Sequence, residues 1–337
     1  MSIAMIDVAT RIGVPLRIRP TFDPKPWGGR RLEGFGKSLP PGAIGESIES
    51  GPDAMVNGGP FDGVSLGDIM ARYPRSLLGE RGEAACRDVS TFPLLVKLID
   101  AQDDLSVQVH PGDTDAPAGK RGKTEAWLIL ATEPGASLIT GVSGRIDPEQ
   151  IEAAIVREAV TSGDVFLVPA GTVHAIGRGV LLYEVQQASD VTYRLFDWGR
   201  QREMHLEEGI RVARADSHAQ RVIPLRLDRH REMLVACQHF ALERWAIGET
   251  MALSGDGQTC RVMTVVSGAA RVGDVTIHCG ESVVLPSDLD PTPLAPDGPD
   301  VSVLMAFIPD IEADVVTPLV DADHDRSSIE QLGISVS

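Results

Sequence analysis

The sequence predicts a mainly β protein built from two barrel-like domains, with a small helical attachment to the first. Leu105 to His110 alternates apolar and polar residues with the period of a strand. Gly163 to His174 runs from a β-rich segment into a turn rich in Gly and Pro. Residues 233–308 then return to short β segments, and the spacing from Gly163 to Pro169 recurs from Gly280 to Pro286. The second half therefore resembles a degenerate repeat of the first.

Composition limits the class of protein. With 337 residues the chain exceeds what one compact core usually supports, so we expect two domains. A hydrophobic content of 43% with 23% charged residues is typical of a folded globular protein and excludes a low-complexity chain. The formal net charge of -17 argues against binding to nucleic acid or to an anionic membrane, so basic residues gathered in a pocket would serve a small anion.

The cysteines and the first residues indicate a compartment. The four cysteines lie far apart, without a Cys-x-x-Cys pair. Met1 to Val14 lacks the basic start and the continuous apolar centre of a secretory signal, and no apolar run approaches the roughly 20 residues of a membrane helix. We therefore expect a cytoplasmic protein that acts on a small molecule, and we favour a monomer.

Shifts in pattern divide the chain. A stretch rich in charge separates two β-rich halves, and the last residues are acidic and weakly patterned. The expected division is a first domain at 1–215 with a helical insertion at about 62–87, a linker at 216–232, a degenerate second domain at 233–310 and a peripheral tail at 311–337.

The insertion carries a recognisable helix start. Ser65 and Asp68 form a capping pair ahead of apolar residues at helical spacing, and Pro74 ends that pattern. A further short helix is predicted between Arg202 and Ala215, where apolar residues alternate with glutamates at helical spacing.

A third helix is predicted after Asp147. Asp147 is a suitable N-cap, Pro148 suits the first helical position, and apolar residues follow at helical spacing from Ile151. We expect this helix to end before Gly163.

A lysine interrupts the apolar strand predicted over Phe92 to Ile99. Lys97 has apolar neighbours on both sides, so its ammonium needs a partner or a pocket. We favour an internal ion pair with a glutamate such as Glu46 over a role in substrate binding, because buried charge is usually paired.

The next strand has one polar face. Its alternation places Ser106, Gln108 and His110 on one side and apolar residues on the other. A polar face of this kind is what the wet interior of a small ligand-holding barrel requires.

Four side chains are candidate metal ligands: Gln108, His110, Glu125 and His174. Two imidazoles, a carboxylate and an amide oxygen suit Zn²⁺ or another divalent first-row ion. Each histidine considered alone could equally be a structural residue or a metal ligand. The polar strand face and the turn before His174 favour metal binding. The second half carries Asp288 and Pro291 where the first has Gly171 and His174, so we predict no metal there.

Two charged residues follow the turn. Glu184 interrupts an apolar strand, and in the next strand Thr192, Arg194 and Phe196 share one face. A histidine, a carboxylate and an arginine therefore occur close together in the sequence, which suggests chemistry on a small anionic substrate.

These residues carry a resemblance. The turn and the upstream ligands resemble the cupin superfamily, and three blocks resemble type I mannose-6-phosphate isomerases (phosphomannose isomerases). The blocks are FPLLVKLIDAQDDLSVQVHP, GKTEAWLIL and VPAGTVHAIGRGVLLYEVQQASDVTYRLFDWGR. They cover about 60 residues, and the order of the WGG and GES motifs and of the degenerate C-terminal domain extends the likeness over most of the chain.

The resemblance implies two cupin-type jelly-roll domains, the first of them catalytic, and one Zn²⁺ per chain. It places the zinc ligands on Gln108, His110, Glu125 and His174, the active-site arginine on Arg194 and the acidic residue on Glu184. One departure is visible, because the family commonly has Trp after the GES motif, where this chain has Ile48.

The implied reaction interconverts mannose 6-phosphate and fructose 6-phosphate through an enediol. Lys123, Arg194 and Ser106 could hold the phosphate or the sugar oxygens. Glu184 is our choice for the proton shuttle, since burial would raise its pKa toward the working range. Lys123 and a metal-bound water are rival bases, and Glu184 could instead be only the charge partner of Arg194.

Two other functions are compatible with a cupin-like fold. A sugar-phosphate-binding or regulatory protein without turnover would show a defect among Lys123, Glu184 or Arg194, and the sequence shows none. A metal-dependent oxygenase usually has a ligand set richer in histidine, so Gln108 argues against it.

Overall fold

The computed structural model describes residues 11–86, 91–144 and 150–334. The chain is mainly β, with antiparallel sheets and a few helices, as predicted. Within the described residues, no helix is long and apolar enough to cross a membrane.

The strands of the first part of the chain are β1 Leu16–Arg19, β2 Thr21–Asp23, β3 Glu46–Ser50, β4 Met55–Val56, β5 Leu94–Ala101, β6 Val107–Val109, β7 Glu125–Thr132, β8 Ser137–Val142, β9 Ile155–Ala159, β10 Val165–Val168, β11 Ala175–Ile176, β12 Val180–Gln187 and β13 Tyr193–Phe196. Those of the second part are β14 Gln220–Val222, β15 Leu225–Arg226, β16 Arg231–Cys237, β17 Phe240–Ile247, β18 Met251–Leu253, β19 Arg261–Ser267, β20 Ala269–Val272, β21 Val275–His278, β22 Ser282–Leu285, β23 Thr292–Pro296 and β24 Val301–Phe307.

The helices are α1 Leu66–Arg72, α2 Pro74–Ala85, α3 Ile151–Ala154, α4 Leu206–Val212, α5 Thr317–Asp321 and α6 Arg326–Glu330. Short 3₁₀ segments cover Arg31–Phe35 and Gly59–Phe61, and a π-helical segment covers Ile311–Val316.

The first half contains a seven-stranded sheet with the order β14-β10-β7-β12-β5-β3-β2. It lies with two smaller sheets, β13-β6 and β11-β8-β9, which an isolated bridge between Gln108 and His174 joins. Apolar residues between these layers form two clusters, one around Trp127 and one around Val109. This arrangement surrounds the polar face predicted for Ser106 to His110.

The second half contains an eight-stranded sheet with the order β15-β16-β17-β24-β19-β22-β1-β4 and a four-stranded sheet with the order β18-β23-β20-β21. Strand β1 comes from the start of the chain, where Leu16 pairs with Val284 of β22. The N-terminal segment therefore extends the C-terminal sheet.

The two large sheets pack against each other through the most extensive cluster of buried apolar residues, to which Tyr183 and Leu98 contribute from the first sheet and Leu242 and Leu304 from the second. An ion pair is buried in the same region. Lys37 Nζ lies 2.5 Å from Glu49 Oε1, and Ser282 donates a hydrogen bond to Glu49 Oε2 at 3.1 Å. The contact between the two large sheets therefore combines apolar packing with a buried ion pair.

The helix start predicted at Ser65 is confirmed. Helices α1 and α2 fill most of 62–87, and the backbone N–H of Asp68 donates to the Ser65 hydroxyl at the start of α1. Within α2, Gly79 has φ of 73°, and a Cβ there would lie 2.5 Å from the backbone of Gln258. This contact holds the insertion against the second half.

The helix predicted after Asp147 is wrong over most of its length. Asp147 and Pro148 lie outside the described residues, α3 ends at Ala154, and Ile155–Ala159 is strand β9 paired with β8. The β-branched Ile155 and Val156 favour a strand when an open sheet edge is available. Tertiary pairing therefore overrides the local helical spacing here.

Two other segments differ from the structure predicted for them. Helix α4 covers Leu206–Val212, shorter than the range predicted for it. In the weakly patterned C-terminal segment, Val315, Leu319 and Ile329 are buried in the main core cluster. These contacts show that the acidic segment packs its few apolar residues inward.

Candidate active site

Strand pairing aligns a row of side chains across the first sheet. Ile48 of β3 pairs with Lys97 of β5, Lys97 with Glu184 of β12, and Glu184 with Trp127 of β7. Directly opposed residues in antiparallel strands share a face. The row therefore brings a cation and a carboxylate to one cleft, with a fully buried indole beside the carboxylate.

The small sheet of β6 and β13 brings the other candidate site residues to the same cleft. Gln108 of β6 pairs with Arg194 of β13 on one side. On the other side the backbones of Gln108 and His174 exchange two hydrogen bonds, at 3.0 and 2.9 Å. The structure therefore places residues 66 positions apart side by side.

The predicted turn aims His174. Gly171 has φ of 89°, a left-handed conformation that favours glycine, and its N–H donates to the backbone carbonyl of His110 at 2.8 Å. The N–H of Thr172 donates to the carbonyl of Pro169 and closes the turn. Two ligand-bearing segments are thus joined directly through backbone bonds.

The side chains of His110, Glu125 and His174 form a buried cluster whose potential ligand atoms all lie within 4.8 Å of one another. Glu125 Oε1 lies 3.2 Å from His174 Nε2, and Glu125 Oε2 lies 3.5 Å from His110 Nε2. Gln108 Nε2 lies 3.4 Å from His174 Nε2. The four predicted ligand residues therefore meet at one place.

The second ring nitrogens orient the histidines. His110 Nδ1 lies 3.0 Å from the backbone carbonyl of Val191, and His174 Nδ1 lies 2.9 Å from that of Thr172. A carbonyl oxygen only accepts, so Nδ1–H is the donor in each ring, and Nε2 faces the cluster. Metal-binding histidines are commonly fixed in this way.

Nearby charges and burial give His110 and Glu125 the protonation states that metal ligands require. Burial lowers the pKa of His110 well below its usual value, and the ammonium of Lys123 lowers it further. For Glu125, burial alone would raise the pKa, but Lys123, with Nζ 3.2 Å from Oε2, together with His110 and His174 outweighs it and holds the pKa well below its usual range. His110 is thus a neutral imidazole and Glu125 an ionised carboxylate.

Glu184 has a different partner from the one considered from the sequence. Its Oε2 accepts a hydrogen bond from Trp127 Nε1 at 3.0 Å, and its Oε1 lies 3.6 Å from Lys97 Nζ. Arg194 instead donates to the backbone carbonyl of Glu203 at 2.6 Å. The pairing of Glu184 with Arg194 is therefore wrong, because the register of β12 with β5 sets Lys97 opposite Glu184.

The predicted ion pair of Lys97 is confirmed. Lys97 Nζ lies 3.2 Å from Glu46 Oε2 as well as close to Glu184. Burial would lower the pKa of Lys97, but the carboxylates of Glu46 and Glu184 outweigh it and raise that pKa above its usual value. Burial and the charge of Glu125 raise the pKa of Glu184.

A cleft of about 770 Å³ opens over these groups. Ser106, Gln108, Lys123, Glu184 and Arg194 are among its lining residues. Ser106 donates to Gln108 Oε1 at 3.4 Å. The sequence-predicted site residues thus either line the cleft or form the buried cluster beneath it.

Sequence reasoning missed some of the cleft. Arg202, Lys120 and Asp190 also line it, and all three lie in irregular segments without a periodic pattern. Ile48, which departs from the family pattern, lines the cleft at the end of the Lys97 row. These residues can be recognised as part of the cleft only from contacts between segments that are distant in the sequence.

Fold and site together define a mainly β enzyme with a buried histidine and carboxylate centre under a charged cleft. Curated relatives include the mannose-6-phosphate isomerase ManA of Bacillus subtilis, 33% identical over 287 residues, which are 77% of this chain and 87% of that protein. The mannose-6-phosphate isomerase of Streptococcus mutans is 33% identical over 303 residues, 82% of this chain and 93% of its own. This chain belongs to the mannose-6-phosphate isomerase family.

Solved structures of mannose-6-phosphate isomerases have a similar fold. The crystal structure of the Bacillus subtilis mannose 6-phosphate isomerase matches with a TM-score of 0.75 at 26% identity, over 87% of this chain and 99% of that one. A phosphomannose isomerase from Salmonella typhimurium shares the fold with a TM-score of 0.71 at 13% identity, over 87% of this chain and 99% of its own. No family model matches the chain.

Proposed function

We propose that this protein interconverts mannose 6-phosphate and fructose 6-phosphate by proton transfer between C1 and C2 through an enediol. The observation that carries the proposal is the buried cluster of His110, Glu125 and His174 next to the cleft row of Lys97 and Glu184. Such a reaction must polarise a carbonyl, move one proton and hold a phosphate. The cleft offers candidate groups for each task.

The ligand cluster fits a Zn²⁺ ion, one per chain. Glu125 Oε2 is buried and makes no hydrogen bond in the described part of the chain; Lys123 Nζ lies 3.2 Å from it as an ion pair, and two other potential ligands lie beside the carboxylate. A buried carboxylate in this state is suited to a cation, and Gln108 could complete four ligands after a half-turn of its amide. When bound, the ion supplies Lewis acidity that polarises the carbonyl and stabilises negative charge on its oxygen.

Glu184 is proposed to move the proton. Its Oε1 is buried without a hydrogen bond in the described structure, while Oε2 is fixed by Trp127. The carboxylate therefore has one fixed oxygen and one available to accept a proton. Its raised pKa suits a group that accepts and returns a proton near neutral pH.

Lys123 and Arg194 are proposed to contact the substrate together with Ser106. Lys123 Nζ lies 3.2 Å from His110 Nε2, at the border between the cluster and the cleft, so it can donate to a substrate oxygen there and remains a rival base. Arg194 lines the cleft from the opposite layer and can stabilise developing negative charge.

We infer that the two halves are cupin-type units. The support is the resemblance of the ligand spacing together with the pairing of a large and a smaller sheet in each half. The proposed division remains 1–215, 216–232 and 233–310, with β1 reaching into the second sheet. Asp288 and Pro291 stand where a glycine turn and a ligand would be needed, so we propose the first unit alone as catalytic.

A coupled assay of mannose 6-phosphate turnover tests the proposal. Purified protein is assayed as prepared, after chelation, and after addition of Zn²⁺. Turnover that disappears with the metal and returns with it supports a zinc-dependent isomerase. Binding of mannose 6-phosphate without turnover in the metal-loaded protein would instead show a sugar-phosphate-binding protein and would overturn the proposal.

A further inference from the structure

The cleft contains two arginines, and only one of them was expected from the sequence. Arg194 belongs to β13, and Arg202 follows in the irregular segment before α4. Both line the cleft. Arg194 Nη1 donates to the backbone carbonyl of Glu203, the residue that follows Arg202, so the segment of Arg202 lies against β13. Two like charges in one cleft create a local preference for an anion.

Arg202 is held in a fixed orientation. Its Nε donates to Asp197 Oδ2 at 2.8 Å, and its Nη2 donates to Asp197 Oδ1. The Asp197 side chain is only 1% exposed and is fixed in turn by Arg200. Among the described residues, Nη1 of Arg202 makes no hydrogen bond, so this end of the fork is available to a ligand.

Arg194 also has a fixed guanidinium with an unused hydrogen-bond donor. Nη1 donates to the carbonyl of Glu203, which fixes the guanidinium, whereas Nε is buried and has no hydrogen-bond partner in the described part of the chain. A buried N–H without a partner is unfavourable unless a ligand satisfies it. Both arginines thus combine a fixed orientation with unused donors.

Three lysines of the cleft pair with carboxylates. Lys97 lies 3.2 Å from the partly buried Glu46, and Lys123 lies 3.2 Å from the buried Glu125. At the rim, Lys120 lies 2.8 Å from Asp190. Arg194 has a backbone carbonyl in place of a carboxylate, and Arg202, although paired with Asp197, keeps Nη1 without a hydrogen bond among the described residues.

We propose that Arg194 and Arg202 form the phosphate-binding subsite of the cleft. This inference rests on the proposed function for the identity of the substrate, but the subsite would bind a phosphate group of any origin. Two oriented guanidinium groups match the geometry of phosphate oxygens, as a single flexible ammonium does not. The phosphate would be held by the β13 layer, while the row of Lys97 and Glu184 on the facing sheet acts at the other end of the sugar.

Arg200 provides a matched control. It binds the same Asp197, with Nη1 3.3 Å from Oδ1, but its Nη2 binds Asp103 Oδ2 at 2.9 Å and it is not among the cleft residues. Arg200→Gln and Arg202→Gln each remove one charge and one partner of Asp197. They therefore differ mainly in whether the lost charge faces the cleft.

The test measures binding of inorganic phosphate to the full-length, Zn²⁺-loaded protein by calorimetry. We expect Arg202→Gln to weaken binding about 10- to 100-fold, as for loss of a charged hydrogen bond, and Arg200→Gln to change it less than about threefold. Arg202→Lys should recover part of the affinity. Equal affinity for phosphate in the wild type and Arg202→Gln, or equal weakening in both glutamine variants, would overturn the subsite.

Measurements of mannose 6-phosphate turnover distinguish a failure of the phosphate subsite from a failure of the proposed isomerase function. If both hold, Arg202→Gln raises KM for mannose 6-phosphate about as much as it weakens phosphate binding, with kcat changed much less. Absence of isomerase turnover in the wild type, with phosphate binding that still depends on Arg202, would refute the isomerase and leave the subsite standing. A normal KM in Arg202→Gln, alongside normal isomerase turnover, would refute the subsite alone.

Discussion

Glu184 Oε1 lies 3.6 Å from Lys97 Nζ on the adjacent strand, and Lys97 in turn lies 3.2 Å from Glu46. The cation that balances Glu184 therefore has a second carboxylate of its own. This relationship separates a role for Glu184 in proton transfer from a role in stability, because Lys97 keeps a counter-charge when Glu184 is neutralised.

Glu184→Gln should lower kcat by about 10²- to 10⁴-fold, the range for loss of a general base. The variant should stay folded and keep its metal, since Glu46 still pairs with Lys97. Steady-state kinetics, metal analysis and the thermal midpoint of the same preparation check this. A folded, metal-loaded variant with near-normal kcat would move the proton shuttle to Lys123 or to a metal-bound water.

The pH dependence of turnover should report the raised pKa of Glu184. A base must be ionised to act, so kcat/KM should fall as pH decreases through a pKa that lies above the ordinary value of a glutamate. Glu184→Gln should abolish that limb in whatever activity remains. An acid limb of the same position in the glutamine variant would assign it to another group.

The same shift has a consequence for stability. Because the folded-state pKa of Glu184 is raised, the folded protein binds more protons than the unfolded chain between the two pKa values. Its contribution therefore makes stability decrease as pH rises through that window. Urea unfolding of metal-free wild type and Glu184→Gln across this range should show a smaller decrease in the variant, and parallel curves would contradict the assignment.

Removal of the metal should reduce both turnover and stability. A ligand present at about 1,000 times its Kd stabilises the folded state by about 4 kcal/mol, so chelation should lower the thermal midpoint measurably. His174→Ala should lose metal and turnover together, because its Nε2 faces Glu125. His239→Ala is a control outside the cluster and should retain metal. Full metal content in His174→Ala would contradict the ligand assignment.

The buried ion pair between the two large sheets should be sensitive to loss of one partner. Lys37 and Glu49 have side chains only 3% and 0% exposed. Glu49→Ala leaves Lys37 buried without its carboxylate and should lower the free energy of unfolding by about 3 to 5 kcal/mol. The double change Lys37→Met with Glu49→Leu should be much less damaging.

The exposed pair of Arg30 and Glu33 serves as a control for that prediction. Glu33→Ala should change stability by less than about 1 kcal/mol, because surface pairs are screened by solvent. Chemical denaturation of the variants compares the effects. Equal losses for Glu33→Ala and Glu49→Ala would show that burial does not govern the contribution of the Glu49 pair.

The sequence by itself determined the mainly β class, the capped insertion at Ser65 and the candidate ligand residues. These features depend on local physics: the period-two alternation around Gln108 and His110 selects a strand face, and Gly171 permits the left-handed turn before His174. Such signals lie within a few residues of the feature that they predict.

Tertiary structure alone decided which charges meet. The register of β12 with β5 gave Glu184 the partner Lys97 in place of Arg194, and an open edge of β8 turned Ile155–Ala159 into a strand. The presence of Arg202 in the same cleft as Arg194 likewise depends on how an irregular segment packs against β13. Pairing across sheets joins residues that are distant in the chain, and a one-residue change of register alters every partner while leaving the local alternation unchanged.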